Sequence, residues 1–116
     1  MRILSALLLS STLFAGDPWS TKDKVLEGAF VAATVLDWRQ TLDIKNHPGL
    51  HEQNSILGRH PSNSTVNTYF ATSILLHAVV ADQLHGKWRT AWQSVWIGLE
   101  LGTVQRNYAL GIRLNF

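Results

Sequence analysis

The 116-residue chain contains no cysteine, which excludes disulfides, thiolate metal ligands, cysteine nucleophiles and lipoprotein acylation. Charged residues are also scarce at 16%, against 46% hydrophobic residues, and this balance is too apolar for a typical soluble domain. No three basic residues stand in a row, so the chain lacks the basic patch that contacts several phosphates. The composition therefore predicts a small membrane protein that does not bind nucleic acid.

The N-terminus has the plan of an export signal. Residues 1–15 contain one basic side chain, an apolar stretch too short for a comfortable membrane span, and a small residue before Gly16. We predict a signal peptide that is cleaved after Ala15. Because Leu13 stands where a small residue is preferred, a short uncleaved anchor is the alternative. Residues 16–116 then form a single helical membrane domain.

Three apolar blocks follow, at 25–44, 66–84 and 90–110. Each is long enough for a helix that crosses a bilayer at 1.5 Å per residue. The middle block is preceded by candidate N-cap residues, namely Asn63, Ser64 and Thr65. The sequence therefore predicts an all-α fold, a small membrane helical bundle of about three spans.

Polar residues recur inside these blocks with helical spacing. The first block carries a polar face made of Glu27, Thr34, Asp37 and Thr41. The third carries a polar seam, by which we mean Gln93, Glu100 and Asn107. Both patterns indicate helices that turn their polar sides toward one another.

Charged side chains inside apolar helices are costly, so their positions require an explanation. In an antiparallel arrangement, Asp37, His77 and Glu100 lie at similar depth, where they could bind a divalent metal or relay a proton. The alternative is purely structural hydrogen bonding. The partners would then be Arg39, Gln40 or Thr41 for Asp37, Ser73 or Asn107 for His77, and Gln93 or Arg106 for Glu100. No other cofactor is predicted.

The third block also has features of a helix contact. Gly98 and Gly102 have the small-xxx-small spacing that allows close approach of another helix. Trp88, Trp92 and Trp96 form a stripe that is typical of a membrane interface. These residues predict association with a second copy or with another membrane protein.

Catalytic motifs are missing from the sequence. There is no GxSxG and no phosphate-binding glycine loop, and the order His47-x-x-x-His51-Glu52 is not the HExxH metal motif. Pro48 and Gly49 would also break the helix that HExxH requires. A non-enzymatic role is therefore favoured.

Residues 108–116 alternate apolar with other residues and end in Phe116, as the terminal strand of an outer-membrane protein does. Together with the export signal, this alternation gives one alternative hypothesis, a small exported outer-membrane protein.

Three segments resemble a loosely defined group of small bacterial and phage membrane proteins: Asp37-Trp-Arg-Gln-Thr41, Glu52-Gln-Asn-Ser-Ile-Leu-Gly-Arg-His-Pro61 and Tyr69-Phe70. In that group an Asp and a Thr near the end of one span precede a Glu-x-Asn-Pro-like loop, and here Ser55 replaces the proline. The resemblance implies a membrane location and roles for Thr41, Glu52 and Asn54. The group has no established activity, so the resemblance implies no reaction.

From these features we predict a non-enzymatic component of the bacterial inner membrane, encoded by a bacterium or its phage, that acts through helix or partner association. The principal alternative is an ion, proton or metal site built on Asp37, His77 and Glu100. The outer membrane is the alternative location.

Overall fold

The computed structural model describes residues 16–50, 56–58 and 60–115. Within these residues the chain forms three helices and no strand: α1 (Thr21–Asp43), α2 (Asn63–Gln83) and α3 (Gly86–Ala109), with a 3-10 turn at Ile44–Asn46. The predicted all-α fold is confirmed, and α1 and α3 each begin a few residues earlier than expected. The predicted signal segment 1–15, together with Glu52 and Asn54, lies outside the described residues.

Side-chain caps define where the first two helices begin. Ser20 and Asp23 form a capping box at α1, in which the Asp23 N–H donates to Ser20 Oγ at 3.1 Å and the Ser20 N–H donates to Asp23 Oδ2 at 2.9 Å. At α2 the cap is Ser62, whose Oγ accepts from the Thr65 N–H at 3.1 Å. The predicted cap residues 63–65 are instead the first residues of the helix.

The three helices are arranged around α1. Most of the contacts of α1 are with α3, which runs parallel to it, and α2 packs antiparallel to α1 on another side. A two-residue link, Leu84–His85, joins α2 to α3, yet these two helices make few direct contacts. A cleft therefore lies between α2 and α3, with α1 as its floor.

The interior of the bundle is unusually polar and its exterior unusually apolar. The buried polar side chains are Asp23, Thr34, Gln40, Thr41, His77, Arg89, Gln93 and Asn107. Large apolar side chains on α2 and α3 are exposed instead, among them Leu75, Leu76, Val79, Val95, Leu99 and Leu101. Globular domains show the opposite distribution. Across the described residues, no helix combines enough length with enough apolar character to cross a membrane.

Arg89, at the start of α3, ties residues 17–23 to the C-terminal end of α2. Its guanidinium is buried, with the residue 1% exposed, and donates to Asp23 Oδ2 at 2.9 Å and to the Ala81 carbonyl at 2.7 Å. Further bonds reach backbone carbonyls of Asp17, Pro18 and Asp82. Five acceptors around one buried cation fix this end of the bundle.

The C-terminal segment packs back onto the end of α1. Ile112 is buried, the Arg113 N–H donates to Asp43 Oδ2 at 2.8 Å, and the Asn115 N–H donates to the Arg39 carbonyl at 3.0 Å. Residues 110–115 form a turn followed by irregular chain, so the terminal strand predicted from the alternation is wrong for this described part. Of the alternating apolar residues in this segment, Ile112 is buried, whereas Leu110 and Leu114 are exposed.

Candidate ligand-binding cleft

The cleft between α2 and α3 contains an aromatic cavity of about 340 Å³, which we call the upper cavity. Its aromatic lining comes from all three helices and consists of Phe30, Tyr69, Phe70, Trp92 and Trp96. A lower cavity of about 250 Å³ shares Tyr69, Phe70, Trp96 and Glu100 with it and extends toward Arg106. The two cavities adjoin each other in the cleft, and the upper one has the size that small ligands occupy.

His77 of α2 is held rigidly in the upper cavity. Its Nδ1 lies 2.8 Å from Glu27 Oε2 of α1, and Gln93 of α3 donates to the other Glu27 oxygen at 3.2 Å. The imidazole stacks on Phe30, with ring centroids 3.5 Å apart, and also on Trp92, with ring centroids 5.3 Å apart. Because Glu27 occupies the Nδ1 side of the ring, Nε2 is the ring nitrogen that remains without a partner in the described chain.

Three residues that line the upper cavity each have a buried polar atom without a hydrogen-bond partner among the described residues. The atoms are Thr34 Oγ1, His77 Nε2 and Glu100 Oε2. A buried polar group without a partner costs roughly 1–3 kcal/mol. All three atoms are covered by protein, so the polar groups of this region are packed beside the cavity rather than open to it.

Glu100 forms a carboxyl pair with Asp37 of α1. Burial of Glu100, together with the hydrogen bond to Asp37 and the negative charge of Asp37, raises the pKa of Glu100 to about 9. Glu100 is therefore protonated at neutral pH and shares its proton with Asp37. Thr41 supports the pair, because its hydroxyl donates to the Asp37 carbonyl at 2.8 Å and lies 3.4 Å from Asp37 Oδ1.

The three predicted site residues, Asp37, His77 and Glu100, all line the cleft, but they do not all contact one another. Asp37 contacts Glu100, whereas His77 binds Glu27 rather than the predicted partners Ser73 or Asn107. In the described part of the chain, no three His, Asp or Glu side chains are grouped so as to hold a metal ion. A divalent metal on this set stays a prediction from the sequence.

The polar seam faces α1 as its spacing predicts. Gln93 donates to the Asp23 carbonyl at 3.0 Å, and Asn107 donates to Gln40 Oε1 at 3.1 Å. Of the predicted structural partners, Thr41 is confirmed for Asp37. Gln93 bonds to α1 rather than to Glu100, which bonds to Asp37.

Gly98 and Gly102 lie on the exposed side of α3. A Cβ added at either position would meet nothing within 4 Å, so no helix of the described chain packs against them. Helical spacing in the sequence already indicates that these two glycines face away from α1. Residues two apart on a helix point about 200° apart, so a seam that faces α1 at Glu100 directs both glycines away from it.

Two important residues were missed at the sequence level. Glu27 was recognised as polar but not as the partner of His77, which is fifty positions distant. Arg89 was not singled out, although it is among the most buried side chains. A lone arginine at the first turn of a helix gives no sequence signal of burial, because most such residues are solvated.

The fold and the cleft define a small three-helix protein, within the described residues, that has a polar interior and an aromatic cavity between two of its helices. No protein-family model matches the chain, and neither a curated protein nor a solved structure matches it.

Proposed function

We propose that the protein is a non-enzymatic binding protein that holds a small, largely apolar molecule in the cleft between α2 and α3. The observation that carries this proposal is the aromatic cavity itself, whose lining joins five aromatic side chains to the polar residues Thr34, His77 and Glu100. Ligand sites combine mostly apolar walls with a few fixed polar groups, which is the composition found here.

Binding fits the local chemistry better than catalysis. Ser73 lines the cavity, but its hydroxyl donates to the Tyr69 carbonyl of its own helix at 2.8 Å. His77 could accept a proton, yet a reaction also needs an activated nucleophile within reach of it. The cleft offers mainly aromatic and apolar surface, which serves recognition.

Binding is tested by titrating the purified protein with phenylbutanol in a calorimeter. We expect saturable binding, and we expect Trp96→Leu to weaken it roughly tenfold because an aromatic contact is lost. The matched control is Trp88→Leu on the same helix, which removes a tryptophan that is 63% exposed and does not line the cleft. Equal weakening by both variants would contradict the assignment of the site.

A second proposal concerns location. We propose that the outer faces of α2 and α3 contact a lipid bilayer, with the inner membrane of a bacterium as the predicted location. The proposal is supported by the exposed apolar side chains of the two helices, among them Leu75 and Val79 of α2 and Val95 and Leu101 of α3, since exposed apolar surface of this kind often marks a contact surface. Association with another helix through the outward-facing Gly98 and Gly102 stays part of this proposal.

Flotation with vesicles of phosphatidylethanolamine and phosphatidylglycerol tests the location. We expect the protein to float with the vesicles and Leu75→Asp to lower the bound fraction several-fold, since a charge in apolar lipid is costly. Val25→Asp is the matched control, because Val25 on α1 is also 64% exposed but lies outside the proposed face. If Val25→Asp lowers the bound fraction as much as Leu75→Asp does, the face is wrongly assigned.

A further inference from the structure

We propose that the ligand of the cleft is a single-chain amphiphile, an acyl chain that carries an uncharged, hydroxyl-bearing head, as in a monoacylglycerol. The inference rests on the proposed binding function and specifies the class of ligand. In this arrangement the chain fills the upper cavity, and the head lies in a groove that adjoins this cavity along α2.

The groove, which we call the threonine groove, has a volume of about 640 Å³. Tyr69, Ser73 and Leu76 line both the groove and the upper cavity, and their spacing places them on one side of α2. From Val80 in the cavity to Ser64 in the groove, the two together follow more than four turns of α2, roughly 24 Å at 1.5 Å per residue. This elongated shape fits a linear chain better than a compact ring system.

The two ends of this path differ in polarity. The upper cavity presents mainly aromatic and apolar side chains, and the unpartnered polar atoms beside it are covered by protein, so it suits hydrocarbon. The groove is lined instead by hydroxyl side chains of α2, namely Ser64, Thr65, Thr68, Thr72 and Ser73. Thr68 and Thr72 are exposed, and neither hydroxyl bonds to another described residue. Because a hydroxyl both donates and accepts, these two groups complement a glycerol head.

The charges of the linings favour an uncharged head. Within the described residues, Lys, Arg and Asp line neither the upper cavity nor the groove, and the groove also lacks Glu and His. A carboxylate or an ammonium placed in the groove would lose part of its hydration without meeting an opposite charge. A glycerol head exchanges hydrogen bonds to water for hydrogen bonds to Thr68 and Thr72, which costs little. The linings therefore distinguish a neutral glyceride from a fatty acid or an amine of similar length.

The test compares three probes with chains of equal length and different heads: monooctanoylglycerol, octanoate and octylammonium. In calorimetric titrations below the critical micelle concentration, we expect the glyceride to bind about tenfold more tightly than either charged probe at neutral pH. Lengthening the acyl chain from hexanoyl to octanoyl should raise the affinity by about fourfold for each added methylene, because each methylene is buried in the cavity.

Variants of the groove test the position of the head. Thr68→Val and Thr72→Val each remove a hydroxyl and keep the shape of the side chain, so each should weaken binding of monooctanoylglycerol about fivefold. Binding of phenylbutanol should change less than about twofold, because this probe is short enough to lie in the upper cavity alone. Ser94→Ala is the matched control, since it removes an exposed hydroxyl of α3 that lines neither the cavity nor the groove.

A larger side chain at position 73 tests the path of the chain. Ser73→Leu fills the place where the cavity and the groove adjoin, so it should weaken binding of monooctanoylglycerol about tenfold or more. Ala71→Leu is the control, because Ala71 is exposed on α2 and lines neither of them. If Ser73→Leu and Ala71→Leu bind the glyceride equally well, the chain does not follow this path and the proposal is overturned.

The outcomes separate the ligand class from the binding function. If phenylbutanol binds but monooctanoylglycerol binds no more tightly than octanoate or octylammonium, the glyceride is overturned and the binding function stands. The same holds if Thr68→Val and Thr72→Val weaken the glyceride no more than Ser94→Ala does. If neither phenylbutanol nor the glyceride binds, the binding function itself fails and the ligand class fails with it.

Discussion

Replacing Arg89 with methionine is expected to lower the free energy of unfolding by about 3–5 kcal/mol. The guanidinium contacts Asp23 and four backbone carbonyls in a site where the arginine is 1% exposed. Methionine fills part of the volume but donates nothing, so a carboxylate and several carbonyls lose their partner together. A small protein can lose most of its stability by such a change.

Urea denaturation followed by circular dichroism measures this effect. Arg106→Met is the matched control, since Arg106 is an exposed arginine of the same helix and its loss should change stability by less than about 0.5 kcal/mol. If Arg89→Met were as stable as the wild-type protein, the packing of residues 17–23 against the α2–α3 link would be wrong.

The second large effect is a dependence of stability on pH that comes from Glu100. Its pKa is raised to about 9 in the folded protein against about 4.5 when unfolded. Between these values the unfolded chain binds fewer protons at this group than the folded chain does, so the free energy of unfolding falls as pH rises. The contribution of Glu100 is fully present below about pH 4.5 and is lost as pH approaches about 9.

Glu100→Gln should remove this slope and make the protein more stable than the wild type near pH 9. The slope is not expected from Asp23 or Asp43, whose pKa values are lowered and whose contributions are lost only below about pH 4. At Asp23 the cause is hydrogen bonding from the backbone of Ser20 together with Arg89. At Asp43 hydrogen bonds from Arg113, Asn46 and His47 outweigh desolvation. Urea denaturation at several pH values measures the free energy of unfolding as a function of pH. If Glu100→Gln shows the same slope as the wild-type protein, another group causes the pH dependence.

The sequence predicted much of the fold because apolar blocks and polar faces both follow helical spacing. Asp37 and Glu100 were placed near one another by counting residues along two helices, and this count succeeds because helical rise is constant. The same count placed His77 at their depth, yet Glu27 took its Nδ1. The rotation of α2 about its axis and its crossing with α1 decide that contact, and neither can be read from residue spacing.

The predicted cap and tail failed for local reasons. Ser62 caps α2 although three other polar residues follow it, because the cap residue must have extended backbone while the next residues are already helical. The alternating tail was predicted as a strand from a pattern of period two, but with no partner strand in the described chain its polar groups bond to the end of α1. Both choices depend on tertiary neighbours.

The polar interior has a consequence for the alignment of α1 with α3. Asp23 meets Arg89 and Gln93 at one end, and Gln40 meets Asn107 at the other. Apolar side chains could slide past one another by a helical turn and still be covered, whereas these bonds would all break at once. The position of α1 along the axis of α3 is therefore fixed by a few directional hydrogen bonds. The apolar side chains on the exterior take no part in this alignment, so they are free to adapt to the surroundings of the protein.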